Sequence, residues 1–176
     1  DQTIYAKWTA NDYTVTFDAN SWEVIPTTIE VTYDATYGEL PVPTRTGYTF
    51  QWWYTAKEWW TKVIASTQVK TANDHTLYAH WTENHYTIAF NANWWEWTMA
   101  SITNIPYSES TTLTENVFTR NGYHFIWWWE TDSSTTVAYE DKATVKELTG
   151  VDNATVTLYA LWSKWSYKID YILNGR

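Results

Sequence analysis

The chain repeats itself, and the length of the repeat limits what it can fold into. Residues 74–93, "DHTLYAHWTENHYTIAFNAN", match residues 1–20, "DQTIYAKWTANDYTVTFDAN", at an offset of 73. The stretch "TRTGYTFQWWYT" (44–55) matches "TRNGYHFIWWWET" (119–131) at an offset of 75. Tyr78, Ala79 and Trp81 then recur 81 residues on as Tyr159, Ala160 and Trp162. Four segments follow from this spacing. Residues 1–8 read as the last strand of a preceding repeat and 9–81 as a repeat module. Residues 82–162 read as a second module with a longer middle, and 163–176 as the first strand of a following repeat. The growing offset places insertions between 109 and 119 and between 129 and 157. A unit of this size can fold alone, though only just.

The units read as β. Tyr13, Val15 and Phe17 alternate with Thr14 and Thr16, as on a strand with one buried face. Tyr86, Ile88 and Phe90 repeat the pattern, and Tyr167, Ile169 and Tyr171 begin it again. "TIEVTY" (28–33) predicts a second strand, "GYTF" leads into a third, and "TLYAHW" closes the unit. Pro41 and Pro43 mark a loop, because proline cannot donate to a ladder. Only 35–40 and 141–150 could hold a helical turn. The fold class is therefore mainly β, built of tandem small modules with at most a short helix each. Trp53, Trp81, Trp128 and Trp162 recur on strand faces and are expected to be largely buried.

Composition narrows the function. The chain has 176 residues and 44% hydrophobic content, so a packed core is expected rather than disorder. With no cysteine, disulfide frameworks and thiolate metal sites are excluded. A net charge of −9 argues against nucleic acid and against anionic membrane surfaces. No apolar run is long enough for a membrane-spanning helix, so no membrane insertion is expected.

The segments "YTVTFDAN", "TYGELPVPTRTGYTF", Trp53-Tyr54 and "DHTLYAHW" resemble the internalin B-repeat, or Listeria–Bacteroides repeat, of bacterial surface proteins. The resemblance covers nearly all of 9–81 and, with a longer middle, 82–162. It implies a small β-grasp-like module, repeated in tandem on large secreted or wall-attached proteins. It implies an extracellular location and a role as stalk or weak binder, with no enzymatic activity. Expected partners are neighbouring repeats of the same protein and a host or cell-surface glycan or protein.

One departure from that family is systematic. The chain holds 15 tryptophans and 5 glycines, an inversion of ordinary usage. Nine tryptophans stand at glycine-like positions: Trp22, Trp52, Trp59, Trp60, Trp94, Trp95, Trp97, Trp127 and Trp165. "AKEWWTKV" (56–63), for example, places two indoles in a polar turn. Turns favour glycine because it reaches positive φ without penalty. The economical reading is a gene whose UGA codons specify glycine, translated as though they specified tryptophan. Engineering, or indoles exposed for binding, are the rival readings. If the indoles are real, Trp59, Trp60, Trp94 and Trp95 form exposed patches suited to stacking on a glycan, the alternative function.

Little else in the sequence carries chemistry. His80 and His85 would point to opposite faces of one strand, so a metal site is not expected. Asp18, Asp34, Asp74, Glu83 and Asp132 sit at strand ends and turns, where acids are merely solvated. No carboxylate pair or nucleophile context is recognisable, and no catalytic residue, metal or cofactor is assigned. "NAT" at 153–155 fits a glycosylation acceptor, a weak match.

Overall fold

A computed structural model of the chain describes residues 2–20, 22–58, 61–94, 97–130 and 138–172. Trp59, Trp60, Trp95 and Asp132 lie outside the described residues. The chain divides into two compact units, Asp1–Glu83 and Asn84–Arg176.

In the first unit β1 (Asp12–Asp18), β2 (Thr28–Thr32), β3 (Tyr48–Tyr54), β4 (Lys62–Val63) and β5 (His75–Glu83) form one sheet. Its order is β2-β1-β5-β3-β4. The central pair β1–β5 is parallel, with Val15 opposite His75 and Phe17 opposite Leu77. The other pairings are antiparallel. The second unit builds the same sheet from β6 (His85–Asn91), β7 (Ile102–Pro106), β9 (Tyr123–Trp129), β10 (Ala138–Tyr139) and β12 (Ala154–Lys164). There too the central pair, β6–β12, is parallel, with Leu158 opposite Phe90.

No helix occurs among the described residues, and both candidate helical segments go elsewhere. In the second unit β8 (Ser110–Thr112) pairs with β11 (Thr144–Lys146). The first unit makes a shorter version, a bridge between Thr36 and Gln68 flanked by Val69 N to Ala35 O at 2.8 Å. Val69 and Val145, both buried, explain the choice: a ribbon directs each inward, into its unit's core.

The inward rows are those the alternation predicts. Val15 and Phe17 of β1, Leu77 and Ala79 of β5, and Trp53 of β3 are buried together. Ile88, Phe90, Leu158, Ala160 and Trp128 form the matching core. Trp53 packs at 4.7 Å from Phe17 and 5.4 Å from Phe50, ring centre to ring centre. Trp128 packs at 4.8 Å from Phe90 and 4.9 Å from Phe125. Phe50 and Trp53 are three positions apart, so an unbroken strand would turn them to opposite faces. A register shift between Phe50 and Trp52 brings both to the core, and the same irregularity recurs opposite Leu161 and Trp162.

Trp81 and Trp162 correct one expectation: both are only partly buried. They lie towards the ends of β5 and β12, where the cover thins. Each meets its unit's phenylalanine, Trp81 with Phe50 at 5.6 Å and Trp162 with Phe125 at 6.0 Å. Each reaches a backbone carbonyl with its indole N–H, Ala19 at 3.4 Å and Ala92 at 2.8 Å. An indole at a rim thus keeps its polar edge satisfied.

Three further expectations change. His80 and His85 are not on one strand but on β5 and β6, separated by Asn84. Residues 2–11 and 165–172 form no strand, and Tyr5, Trp8, Tyr167 and Tyr171 are exposed. The equivalent Tyr78 and Trp81 are held by flanking strands β1 and β3, a setting those end segments lack. The added length of the second unit falls partly between Ile105 and Leu113, ahead of most of the 109–119 window. The rest lies within 129–157 as expected, largely after Val145, where Glu147 and Asn153 take left-handed turns at φ 57° each.

None of the glycine-like tryptophans among the described residues has positive φ. Trp52 and Trp127 are in β3 and β9, beside the irregularity, a place where glycine is common for reasons other than positive φ. Trp94 and Trp165 are not among the left-handed residues either. At the two corresponding turns Asn20 (φ 59°) and Asn93 (φ 55°) take that role, as asparagine readily does. Nor are the indoles without partners: Trp52 lies under Lys62 Nζ at 3.2 Å and Trp165 meets His124 at 4.7 Å.

Candidate functional site

Each unit carries the motif Thr-Arg-x-Gly-Tyr immediately before its third sheet strand. In the first, Tyr48 N donates to Arg45 O at 3.2 Å across a turn whose third residue, Gly47, has φ 77°. In the second, Tyr123 N donates to Arg120 O at 3.0 Å, and Gly122 has φ 78°. A turn with positive φ at its third residue calls for glycine. It also brings its first and fourth side chains together. Arg45 Cζ lies 3.4 Å from the Tyr48 ring centre, and Arg120 Cζ 3.6 Å from that of Tyr123.

A tryptophan from the preceding part of each unit joins them. Trp22 lies 5.2 Å from Arg45 Cζ, and Trp94 lies 3.7 Å from Arg120 Cζ. Two rings cannot both centre that close to one carbon on the same side. Arg120 is therefore clasped between Trp94 and Tyr123, its guanidinium faces covered. Trp94 is still 65% exposed, so this is a surface clasp rather than a core contact. Such contacts are worth about 0.5–1 kcal/mol each at exposed sites.

Open clefts surround both arginines. Trp22, Glu23, Thr44, Arg45 and Thr46 line the first. Trp94, Trp97, Thr119, Arg120, Asn121 and Tyr123 line the second. In both, the arginine Nε is buried and has no hydrogen-bond partner. Among the described residues neither arginine forms an ion pair, whereas Lys57, Lys70, Lys142, Lys146 and Lys168 each pair with a carboxylate.

Of the candidate glycan contacts, only Trp94 falls among the described residues, and it lies in the second cleft. Nothing in the sequence pairs Trp94 with Arg120, which are far apart along the chain. The doubled Thr-Arg-x-Gly-Tyr was the available signal. The acids at turns have structural partners. Asp74 Oδ1 accepts Thr14 N at 2.8 Å, Asp18 Oδ1 accepts Asn20 N at 2.8 Å, and Asp34 pairs with Lys70. No group of metal-ligating side chains occurs among the described residues.

The strongest titration effect is remote from the clefts. Burial, reinforced by a hydrogen bond to Glu130, holds Tyr139 well above the usual tyrosine range. Burial also raises Tyr37 and Tyr86.

Known proteins place the fold. The family model of the Listeria-Bacteroides repeat domain matches residues 13–80 and 86–161. A protein of Evansella cellulosilytica named as a membrane protein is 29% identical over 169 residues, covering 96% of this chain and 24% of its own length. Internalin H of Listeria monocytogenes is 44% identical over 84 residues, covering 48% of this chain and 15% of its own length. A protein of Evansella cellulosilytica named as a Gly-rich membrane protein is 27% identical over 172 residues, 98% of this chain and 18% of its own. The chain thus spans a quarter or less of the length of these relatives. Two matches, each reaching all five strands of one sheet, mean that the chain belongs to the Listeria-Bacteroides repeat family.

Proposed function

We propose that the chain is an extracellular spacer segment of a large, surface-attached bacterial protein, holding other domains away from the cell and aiding adhesion. The observation that carries this reading is the parallel central pair of each module. The first and last long strands run side by side in the same direction. The chain therefore enters a module at one end of the pair and leaves at the other, as a spacer module requires. The similarity to an internalin and to proteins named for membranes supports a surface location. The β-grasp-like arrangement implied by the resemblance belongs to the same reading, and no reaction is assigned to the chain.

Small-angle scattering on chains of two, four and six modules tests the spacer role. The maximum dimension should rise in proportion to module number; a plateau would overturn it.

Carbohydrate binding is the second reading. The observation favouring it is the exposure of Trp94 and Trp97 beside Thr119 and Asn121 in one cleft.

A further inference from the structure

We propose that the Arg120 cleft binds a carboxylated sugar, a hexuronate unit of an anionic glycan, and that the Arg45 cleft is a weaker copy. The inference rests on the carbohydrate reading and assigns it a charge and a contact.

The first support is the isolation of the arginines. In a chain with net charge −9, basic groups have acids in excess to pair with. Among the described residues five lysines do so, while Arg45 and Arg120, like Lys7, Lys62 and Lys164, do not. The second is the unpaired Nε, present in both modules. A buried donor left unsatisfied costs about 1–3 kcal/mol. A carboxylate set edge-on to guanidinium satisfies Nε and a neighbouring terminal nitrogen through two parallel hydrogen bonds.

The third support is geometric. With Trp94 and Tyr123 on its faces, the Arg120 plane is held between two rings before any ligand arrives. Preorganisation of this kind lowers the ordering cost of binding. Planar carboxylates fit an edge. Trp97, 54% exposed, adds a flat apolar surface for a sugar ring. Thr119 and Asn121 add hydroxyl and amide groups for the sugar hydroxyls. These features favour a sugar acid over an acidic peptide.

The two clefts differ in one respect that ranks them. Trp94 stands 3.7 Å from Arg120 Cζ, whereas Trp22 stands 5.2 Å from Arg45 Cζ, so Arg120 is the more closely held of the two. Arg120 should therefore carry most of the affinity. Because recognition of charge falls to arginine, glycine at 94 and 97 should weaken binding without abolishing the preference for the acid.

Isothermal titration calorimetry on the whole chain is the test, with tetragalacturonate, its methyl ester and oligoglutamate as probes. Tetragalacturonate should bind saturably and the ester at least about tenfold more weakly, since the ester cannot accept a charge-assisted pair. Arg120→Lys, which keeps the charge but loses the fork, should cost about tenfold. It should do so with unchanged melting temperature and amide spectrum, while Arg45→Lys costs about threefold or less. Asn121→Ala should weaken tetragalacturonate binding independently of the arginine. Equal binding of acid and ester would leave a carbohydrate site but overturn the carboxylate assignment. Tighter binding of oligoglutamate would reassign the cleft to acidic peptides and overturn it too. No saturable heat with either sugar would overturn both the assignment and the carbohydrate reading.

Discussion

Trp53 donates its indole N–H to the carbonyl oxygen of Pro41 at 2.8 Å. Trp128, its counterpart in the second module, is as deeply buried and has no partner for the same group. The loops before the two arginines also differ. Where the first module has Pro41, the second has Asn116, which turns inward on its own segment by accepting Phe118 N at 3.0 Å and donating to Phe118 O at 3.2 Å. Removing the polar edge should therefore hurt the first module more. Trp53→Phe is expected to cost about 1 kcal/mol more than Trp128→Phe. Urea unfolding followed by amide signals of each module would show it.

Trp81 and Trp162 sit at rims, so their truncation should be milder than a core deletion. Trp81→Ala is expected to cost roughly 2 kcal/mol against roughly 3–5 for Trp53→Ala. Equal losses in thermal melts would mean that the rim is as well packed as the centre.

Gly122 lies at φ 78° with open space where a Cβ would go. Gly122→Ala should thus cost about 1–2 kcal/mol through backbone conformation alone. Because the same turn delivers Arg120 to Tyr123, the arginine side-chain signals should broaden in its NMR spectrum.

Tyr139 is held protonated in the folded state by burial and by Glu130. Its folded pKa lies above the unfolded value, so its contribution is complete below about pH 10 and is lost as pH rises further. Stability of the second module should decline above that pH, and Tyr139→Phe should make the decline shallower. Alkaline melting curves of the two proteins would check the sign.

The nine glycine-like tryptophans remain a matter of decoding, and mass decides it. The glycine reading predicts that protein from the native host weighs less than the written sequence by nine Trp-to-Gly differences, in which case Arg120 would keep Tyr123 but lose the Trp94 half of its clasp. A mass agreeing with fifteen tryptophans would reject the glycine reading.

Strands were legible because Tyr13, Val15 and Phe17 obey a period of two and because each segment is written twice. The position of Trp53 beside Phe50 was not, since a register shift is needed to put residues three apart on one face. The ribbon at Thr36 and Gln68 was hidden for a different reason. Both segments are short and polar, and only tertiary pairing gives them structure. The clefts escaped because Trp94 and Arg120 meet through the folded sheet, and no periodicity links them. At the turns before Trp22 and Trp94 it is Asn20 and Asn93 that hold the left-handed conformation, a role the turn residues alone did not assign.

The parallel central pair also decides how a module bears load. Tension applied along the chain pulls β1 and β5 in opposite senses along their shared ladder, so its hydrogen bonds are sheared together instead of being unzipped one by one. The ladder of the first module runs from the Val15–His75 pair to Asp18–Tyr78. That of the second runs from Ala154–Tyr86 to Tyr159–Asn91 and is longer. Under a steadily increasing pull the first module should rupture before the second, making it a sacrificial link that lengthens while its neighbour stays folded.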